Sequence, residues 1–214
     1  MFNLTITILA TDCKDIVYAG ESICIVLNVG VIATSVPQST SRMAPQLQVL
    51  WQALPVYEHN EVQWDADTWS LFVAGNADPG STLVMTSWSV AVDGRTVSFS
   101  ENEFGDASGS LPAGCYGVAN DGVSGSLAMG LACNPKVNGN PQKSASAVCI
   151  VPHMHIAQFT PATTVQVFLQ SAASSGMVLS NSIDSIDRID LNGGALTLQY
   201  DSAIAKFIRS SPAS

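Results

Sequence analysis

The chain has little charge and, above all, little positive charge. Only 12% of its 214 residues are charged, and 8 Lys and Arg stand against 17 Asp and Glu, for a formal net charge of −9. Nucleic-acid-binding proteins gain affinity when basic side chains neutralise phosphates, so no nucleic acid is expected as a partner. The hydrophobic fraction is nevertheless 47%. Such an excess predicts apolar side chains in a ligand cavity or a subunit interface, and it is compatible with a homodimer.

The chain also lacks a long hydrophobic run and a recognisable leader. Residues 2–8 alternate between apolar and polar side chains, without the basic start and apolar stretch of a signal peptide, and therefore predict a strand. The most apolar run, residues 23–36, is interrupted by Asn28 and is shorter than the ~20 residues that cross a bilayer. We expect a soluble, cytoplasmic protein without a transmembrane segment.

Sequence motifs for catalysis are missing as well. There is no G-x-S-x-G elbow, no phosphate-binding P-loop and no H-E-x-x-H helix. The five cysteines are an odd number without a C-x-x-C pair, which predicts buried thiols in a reducing compartment and argues against a zinc site. No basic residue lies near Cys115 to activate it. The sequence favours a binding protein over an enzyme and predicts no catalytic residue.

Alternation with a period of two residues dominates the chain. Residues 165–170 and 195–200 alternate as half-buried strands do, and the continuous apolar stretch 22–29 predicts a strand that is covered on both faces. We therefore predict an all-β fold, an antiparallel β-sandwich of the jelly-roll or Greek-key type. It would form a single domain over residues 1–214, with long Gly-rich loops and at most one or two short helices.

Three local predictions follow from turn residues and spacing. Asp93-Gly94 is the preferred pair for a type I′ turn, so residues 88–99 predict a hairpin that pairs Val90 with Val97. Residues 105–141 contain eight glycines and three prolines and predict long loops with one or two short strands. Residues 183–190 repeat Ile and Asp every three positions, which predicts a short helix or 3₁₀ segment; the spacing is not that of a calcium loop.

The segment of residues 57–69 is the richest in side chains that bind ligands. Strand alternation would place Glu58 and His59 on opposite faces, which disfavours joint acid–base catalysis. Trp64 and Trp69 stand beside short acids, a combination that can hold a ring on an indole and orient its polar groups. The alternative is that both tryptophans belong to the core. The candidate ligand-binding residues are Tyr57, His59, Trp64, Trp69, His153 and His155.

The two histidines of the P-H-M-H sequence are the candidate metal ligands. On a strand, His153 and His155 would share a face, at a spacing that suits one metal ion, and His59 could supply a third ligand. The segment that follows offers Gln158 where a cupin-type site would have a carboxylate. The alternative is a pair of histidines on a solvent-facing or pocket-lining surface.

In its length, acidity, missing signal peptide and strands rich in Ser, Ala, Val and Thr, the chain resembles the all-β proteins of mushroom fruiting bodies. This group includes lectins, membrane-active toxins and pigment-carrying proteins, and the pink and yellow oyster-mushroom chromoproteins are nearest in character. The resemblance implies a non-catalytic binder whose cofactor is a small organic chromophore, and it assigns no binding residue. Two other hypotheses stay open: a lectin-like carbohydrate-binding protein that uses Trp64, and a metal-dependent enzyme that uses His153 and His155.

Overall fold

The protein is described by a computed structural model over residues 1–35, 41–42, 47–65, 67–181, 183–191 and 194–210. Strands account for 58% of the described residues and helix for 5%, which confirms the predicted all-β class. The elements are α1 (Ala10–Tyr18), β1 (Phe2–Thr7), β2 (Glu21–Ser35), β3 (Ser41–Arg42), β4 (Leu47–Leu50), β5 (Gln52–Leu54), β6 (His59–Trp64), β7 (Ser70–Ala74), β8 (Met85–Val90), β9 (Arg95–Ser100), β10 (Glu103–Ser108), β11 (Tyr116–Asn120), β12 (Ser126–Ala132), β13 (Lys136–Val137), β14 (Asn140–Pro141), β15 (Ala145–Pro152), β16 (His155–Ser171), β17 (Met177–Val178), β18 (Ile189–Asp190), β19 (Ala195–Asp201) and β20 (Lys206–Arg209).

The strands form three sheets in a sandwich-like fold. The first has the order β14-β13-β6-β1-β19-β20, the second β10-β9-β11-β16-β2-β3 with β5 and β18 at its side, and the third β17-β4-β15-β12-β7-β8. The pairs β1 with β19 and β9 with β11 are parallel, and the other pairs between the described strands are antiparallel, as predicted for most of the sandwich. The largest hydrophobic cluster draws residues from all three sheets, which is compatible with the predicted single domain.

The two longest strands, β2 and β16, lie next to each other in the second sheet. They pair antiparallel from Glu21 opposite Ser171 to Ser35 opposite His155. The predicted strand at residues 22–29 is confirmed. Its neighbouring residues Ile23 and Cys24, which point to opposite faces, are both fully buried, as the continuous apolar pattern indicated. The register shifts between Pro161 and Val165, because β16 has extra residues there that no residue of β2 faces.

Strand alternation is predicted correctly at both termini. The strand at residues 2–8 is confirmed as β1, and that at 195–200 as β19, where Leu196, Leu198 and Tyr200 are buried between exposed neighbours. In β6, the side chains of Asn60, Val62 and Trp64 are buried on one face of the strand, as alternation predicts.

The predicted hairpin of residues 88–99 is wrong. Strand β8 pairs with β7 in the third sheet, whereas β9 pairs with β10 and β11 in the second. The turn itself exists, because the Arg95 amide donates to the Val92 carbonyl at 3.2 Å, but only Gly94 has a positive φ, at 67°. A type I′ turn needs positive φ at Asp93 as well. The strands therefore diverge, and Val90 is 74% exposed instead of facing Val97.

Residues 105–141 contain more strand than the one or two short strands predicted, because β11 to β14 and most of β10 lie in this stretch. Two of its glycines lie inside strands for reasons of space. A Cβ atom at Gly130 would overlap the Phe72 ring, and one at Gly117 would lie 2.5 Å from the Thr96 Oγ1 atom. Glycine marks close packing of side chains here.

The predicted helix at residues 183–190 is wrong as well. The segment makes one turn, closed by the Ile186 amide on the Ile183 carbonyl at 2.9 Å, and then continues into β18. The buried Gln166 side chain donates from Nε2 to both the Ile183 carbonyl, at 2.8 Å, and the Ile186 carbonyl, at 2.9 Å. A side chain of β16 thus satisfies carbonyls that a helix would have paired internally.

Helix α1 lies where no helix was predicted, although its length agrees with the one or two short helices expected. Ile16 is its only fully buried residue, so its sequence carries little helical periodicity. In the part of the chain that the structure describes, no helix has the length and apolarity needed to cross a membrane.

All five cysteines are free thiols, in agreement with the expectation from their number and spacing. Cys24, Cys133 and Cys149 are buried, whereas Cys13 and Cys115 are half-buried. Burial raises the pKa of each of the three buried thiols to about 12, because the thiolate would lose its hydration. These three side chains act as small core residues.

Candidate functional site

The candidate ligand-binding residues of the 57–69 segment separate into an exposed and a buried group. Tyr57 is 55% exposed, and His59 is exposed at the start of β6. Trp64 and Trp69 are buried, at 4% and 5% exposure, and both line one cleft of about 200 Å³. We call this cavity the aromatic cleft.

The candidate metal ligands do not share a strand face. Pro152 ends β15 and His155 begins β16, so His153 and Met154 form the turn between the two strands, with Met154 at a φ of 59°. The His155 Nδ1 atom lies 2.9 Å from the His153 carbonyl oxygen. The expectation from strand alternation is therefore wrong. Within the described ranges, no three or more His, Cys, Asp or Glu side chains lie together as they would around a metal ion.

One wall of the aromatic cleft is a stacked pair of rings from the first sheet. Antiparallel pairing sets Phe2 opposite Trp64, and their ring centroids are 5.4 Å apart with an interplanar angle of 26°. Behind them, the fully buried Trp51 meets Trp64 edge-on at 5.1 Å and donates its Nε1–H to the Cys133 carbonyl at 2.8 Å. Trp64 is therefore fixed from two sides.

A second aromatic pair lines another part of the cleft. Trp69 lies just before β7, Tyr116 begins β11, and their ring centroids are 6.2 Å apart with an interplanar angle of 44°. The Trp69 carbonyl accepts a hydrogen bond from the Ala91 amide at 3.0 Å. In the turn before Trp69, the Asp67 amide donates to Asp65 Oδ1 at 3.1 Å, and the exposed Asp67 lines the cleft.

The irregular part of β16 forms the third side. Pro161, Ala162 and Thr163 line the cleft at the point where β16 bulges away from β2. Asn28, which lies opposite the bulge, holds it by donating from Nδ2 to the Thr164 hydroxyl at 3.0 Å. The Leu191 amide donates to the Thr163 carbonyl at 2.8 Å. A proline costs no ladder hydrogen bond at such a bulge.

The turn that was predicted to close a hairpin instead supports the Tyr116 wall. The Asp93 carboxylate accepts a hydrogen bond from the Gly114 amide at 2.7 Å, and the Gly94 amide donates to the Cys115 carbonyl at 2.9 Å. Gly114 lines the cleft and has a φ of 78°, a conformation that favours glycine.

Two carboxylates act on the tyrosine that lines the cleft. Burial, and after it the charges of Asp93 and Asp67, raise the pKa of the Tyr116 hydroxyl. The pKa of Asp65 is lowered chiefly by the hydrogen bond from the Asp67 amide, and to a smaller extent by the Thr68 hydroxyl and the N-terminal amino group. Asp65 is thus held in its charged form beside the cleft.

A second cavity, of about 160 Å³, lies between β16, β20 and the 185–189 segment. Its walls are mainly apolar and include Phe168 and Phe207. Its charged residues are already paired, because Lys206 Nζ donates to Asp187 Oδ2 at 2.9 Å.

Trp64 and Trp69, named as candidates from the sequence, line the aromatic cleft, and both also belong to the main hydrophobic cluster, as the alternative interpretation expected. Nothing in the sequence indicated that Phe2, Tyr116 and the β16 bulge would line the same cleft. Phe2 reaches the cleft only through the pairing of β1 with β6, and Tyr116 only through the place of β11 beside β9 and β16. These pairings join residues far apart in the chain. Pro161 was the one local signal for an irregularity in the strand.

Comparison with known proteins gives no relative: no family model, no curated protein and no solved structure matches the chain.

Proposed function

We propose that this is a non-catalytic binding protein that holds one small, largely apolar or conjugated molecule in the aromatic cleft. The observation that carries the proposal is the convergence of two aromatic pairs, Phe2 with Trp64 and Trp69 with Tyr116, on one open cavity. Apolar pockets with a few polar groups are the usual form of a small-molecule site. Rings that line such a pocket offer flat area to a planar ligand.

The size of the cleft limits the ligand. Its volume of about 200 Å³ is below the ~300–1,000 Å³ that is usual for sites of drug-sized molecules. The expected occupant is therefore a single ring, a fused pair of rings or a compact head group.

The lining favours binding over turnover. Among the described residues that line the cleft, Asp67 is the only carboxylate, and none is a histidine, cysteine or lysine. The other ionisable side chain of this lining is the Tyr116 phenol. Burial raises the pKa of that phenol further above neutrality, so it is a poor partner for acid–base catalysis at neutral pH.

Two measurements test the proposal. Native mass spectrometry of protein isolated from its natural source should show a bound small molecule, and small aromatic compounds should change the tryptophan fluorescence of the ligand-free protein. A Trp69→Leu variant should lose this response, whereas Trp88→Leu should retain it, because Trp88 packs on Phe72 in another cluster. A protein without a bound molecule and without a fluorescence response would contradict the proposal.

A sugar ligand is the second candidate, and Asp67 beside Trp69 is the observation that favours it. Together with the Thr163 hydroxyl, this carboxylate could orient the hydroxyls of one sugar ring stacked on an indole. Titration with single monosaccharides separates the two candidates. A lectin-like site should bind a sugar and lose that binding on Asp67→Asn substitution, and it should show no preference for planar aromatic compounds.

A bound chromophore would be one form of the principal proposal. The resemblance to the fruiting-body chromoproteins stays a prediction, and visible absorption by the naturally purified protein tests it. Absorption that disappears on unfolding would support a carried pigment, and a colourless protein would contradict it.

A further inference from the structure

The aromatic cleft combines features that suit a cation. It is lined by four aromatic rings, whose faces carry partial negative charge and attract a cation held within ~6 Å of the ring centroid. It also contains the Asp67 carboxylate. A neutral ring ligand would use the aromatic surfaces and leave that exposed carboxylate with water as its partner.

No basic side chain of the described residues neutralises Asp67. Lys206 is paired with Asp187 at the second cavity. Arg95, which is cross-strand to Tyr116, donates from Nη1 to the Gly109 carbonyl at 2.5 Å. The N-terminal amino group contributes to the lowered pKa of Asp65 but forms no ion pair with Asp67.

The part of the chain that supplies Trp64, Asp67, Trp69 and Tyr116 to the cleft carries charge of the same sign. Between residues 51 and 135 the chain contains ten acidic residues, and Arg95 is the only Lys or Arg. The carboxylates of Asp67 and Asp93 both act on the Tyr116 hydroxyl. A cleft with apolar walls and one sign of charge concentrates ligands of the opposite sign.

The polar groups of the lining also narrow the type of cation. The side chains that line the cleft offer one carboxylate, one aliphatic hydroxyl and one phenol, from Asp67, Thr163 and Tyr116, and the other lining side chains are mainly apolar. N–H donors that meet these apolar walls would lose their hydrogen bonds to water. An alkylated ammonium has few or no N–H groups. It is stabilised by aromatic faces and a single counter-ion.

We propose that the aromatic cleft binds a small organic cation that carries an alkylated ammonium group. The ammonium lies between the Phe2–Trp64 and Trp69–Tyr116 pairs, with Asp67 as its counter-ion. This inference rests on the proposed function and specifies the chemical class of its ligand.

The test compares choline with 3,3-dimethylbutan-1-ol, its neutral isostere, which has carbon in place of the charged nitrogen. Both are titrated into the full-length protein and followed by tryptophan fluorescence and calorimetry. Choline should bind at least about tenfold more tightly than the isostere, because only the charged group gains from the ring faces and Asp67. Raising the salt concentration should weaken the binding of choline alone.

Two matched variants locate the effect. Asp67→Asn should weaken choline binding about tenfold and leave binding of the isostere unchanged. Folding should not be affected, because Asp67 is exposed and it is the Asp67 amide that donates to Asp65. Asp106→Asn makes the same change of charge at an exposed position of β10 and should bind choline as the parent does.

Three outcomes would overturn the inference. Equal affinities for choline and the isostere would show a site that ignores charge, which leaves the proposed function standing. Choline binding that Asp67→Asn does not weaken would place the cation elsewhere. If neither compound binds while neutral aromatic compounds do, the inference fails and the proposed function holds; if those also fail, both are wrong.

Discussion

The two cavities of this protein are similar in size but differ in how their charge is balanced. The aromatic cleft measures about 200 Å³ and the second cavity about 160 Å³, and each combines apolar walls with a carboxylate. In the second cavity, Asp187 is paired with Lys206 at 2.9 Å. In the aromatic cleft, Asp67 forms no ion pair with a described residue. A carboxylate on an apolar wall favours a cationic ligand only where no basic side chain of the protein is already paired with it.

The walls differ as much as the charges. The second cavity is lined by Phe168 and Phe207 among aliphatic side chains. Two packed aromatic pairs line the aromatic cleft, and one of them is supported from behind by the fully buried Trp51. Rigid rings lose little conformational freedom when a ligand binds, so the aromatic cleft is better preorganised for binding than the second cavity.

The largest effect is expected from removing the ring at the back of the aromatic cleft. Trp64→Ala deletes a side chain that is 4% exposed and contacts both Phe2 and Trp51. The free energy of unfolding should fall by about 3–5 kcal/mol, the usual cost of truncating a buried aromatic residue. Urea denaturation measures it. Trp88→Ala, at a half-buried position of β8, is the matched control; an equal loss there would show that the cleft wall is not a special part of the core.

The contrast in charge balance can be broken by giving the aromatic cleft its own cation. Thr163→Lys places an ammonium on the exposed bulge beside Asp67 and leaves the Thr163 carbonyl free to accept from Leu191. Choline affinity should fall by about tenfold or more, because Asp67 then has an internal partner. In Thr163→Met, whose new side chain is similarly long but uncharged, the affinity for choline should fall much less. Equal losses in both calorimetric titrations would mean that bulk, not charge, decides.

The core of this fold was more predictable than its cleft. The strands β1, β6 and β19 follow from alternation, since each buries one face against the core, and the continuous apolar pattern of β2 identified a strand that is covered on both sides. These signals are local. The hairpin prediction failed because φ at Asp93 is not fixed by the Asp-Gly pair, and the structure uses the turn to send β8 and β9 into different sheets.

The cleft depends on long-range pairing. Trp64 and Trp69 could be named because tryptophan beside short acids has the composition of a ring-binding site. Their partners Phe2 and Tyr116 could not, because β1 pairs with β6 and β11 lies between β9 and β16 only in the assembled sheets. The ligand-binding roles assigned to Tyr57, His59, His153 and His155 stay predictions, at positions outside the cleft lining.

A smaller effect, common to both regions, is expected at alkaline pH. Cys133 lies behind the aromatic cleft, where its carbonyl holds Trp51, and Cys24 lies in the cluster against which Phe168 packs. Burial raises the pKa of both thiols from the ordinary 9.0 to about 12. Between these values the folded state binds more protons, so its stability is complete below pH 9 and falls as the pH rises, by about 1.4 kcal/mol per pH unit for each thiol.

Denaturant titrations at a series of pH values from 8 to 11 check this slope. Cys133→Ala and Cys24→Ala should each remove the contribution of one thiol to the slope of the free energy of unfolding against pH. This holds whatever stability each substitution loses at neutral pH. Cys13→Ala is a control at a half-buried position and should change the slope less. Unequal slopes for Cys133 and Cys24 would show that the two regions differ in burial as well as in charge.

The smallest effect is expected when the ion pair of the second cavity is broken. Lys206→Met leaves Asp187 without its partner, but the two side chains are 56% and 75% exposed. Exposed pairs contribute about 0–1 kcal/mol, because water and salt screen them, so the free energy of unfolding should change by no more than that. The variant also makes the two cavities alike in charge and leaves them different only in their rings. If cation–π attraction is needed in addition to a carboxylate, calorimetry should find no second choline site in Lys206→Met, whereas a new site would mean that an unpaired carboxylate beside an apolar wall is sufficient.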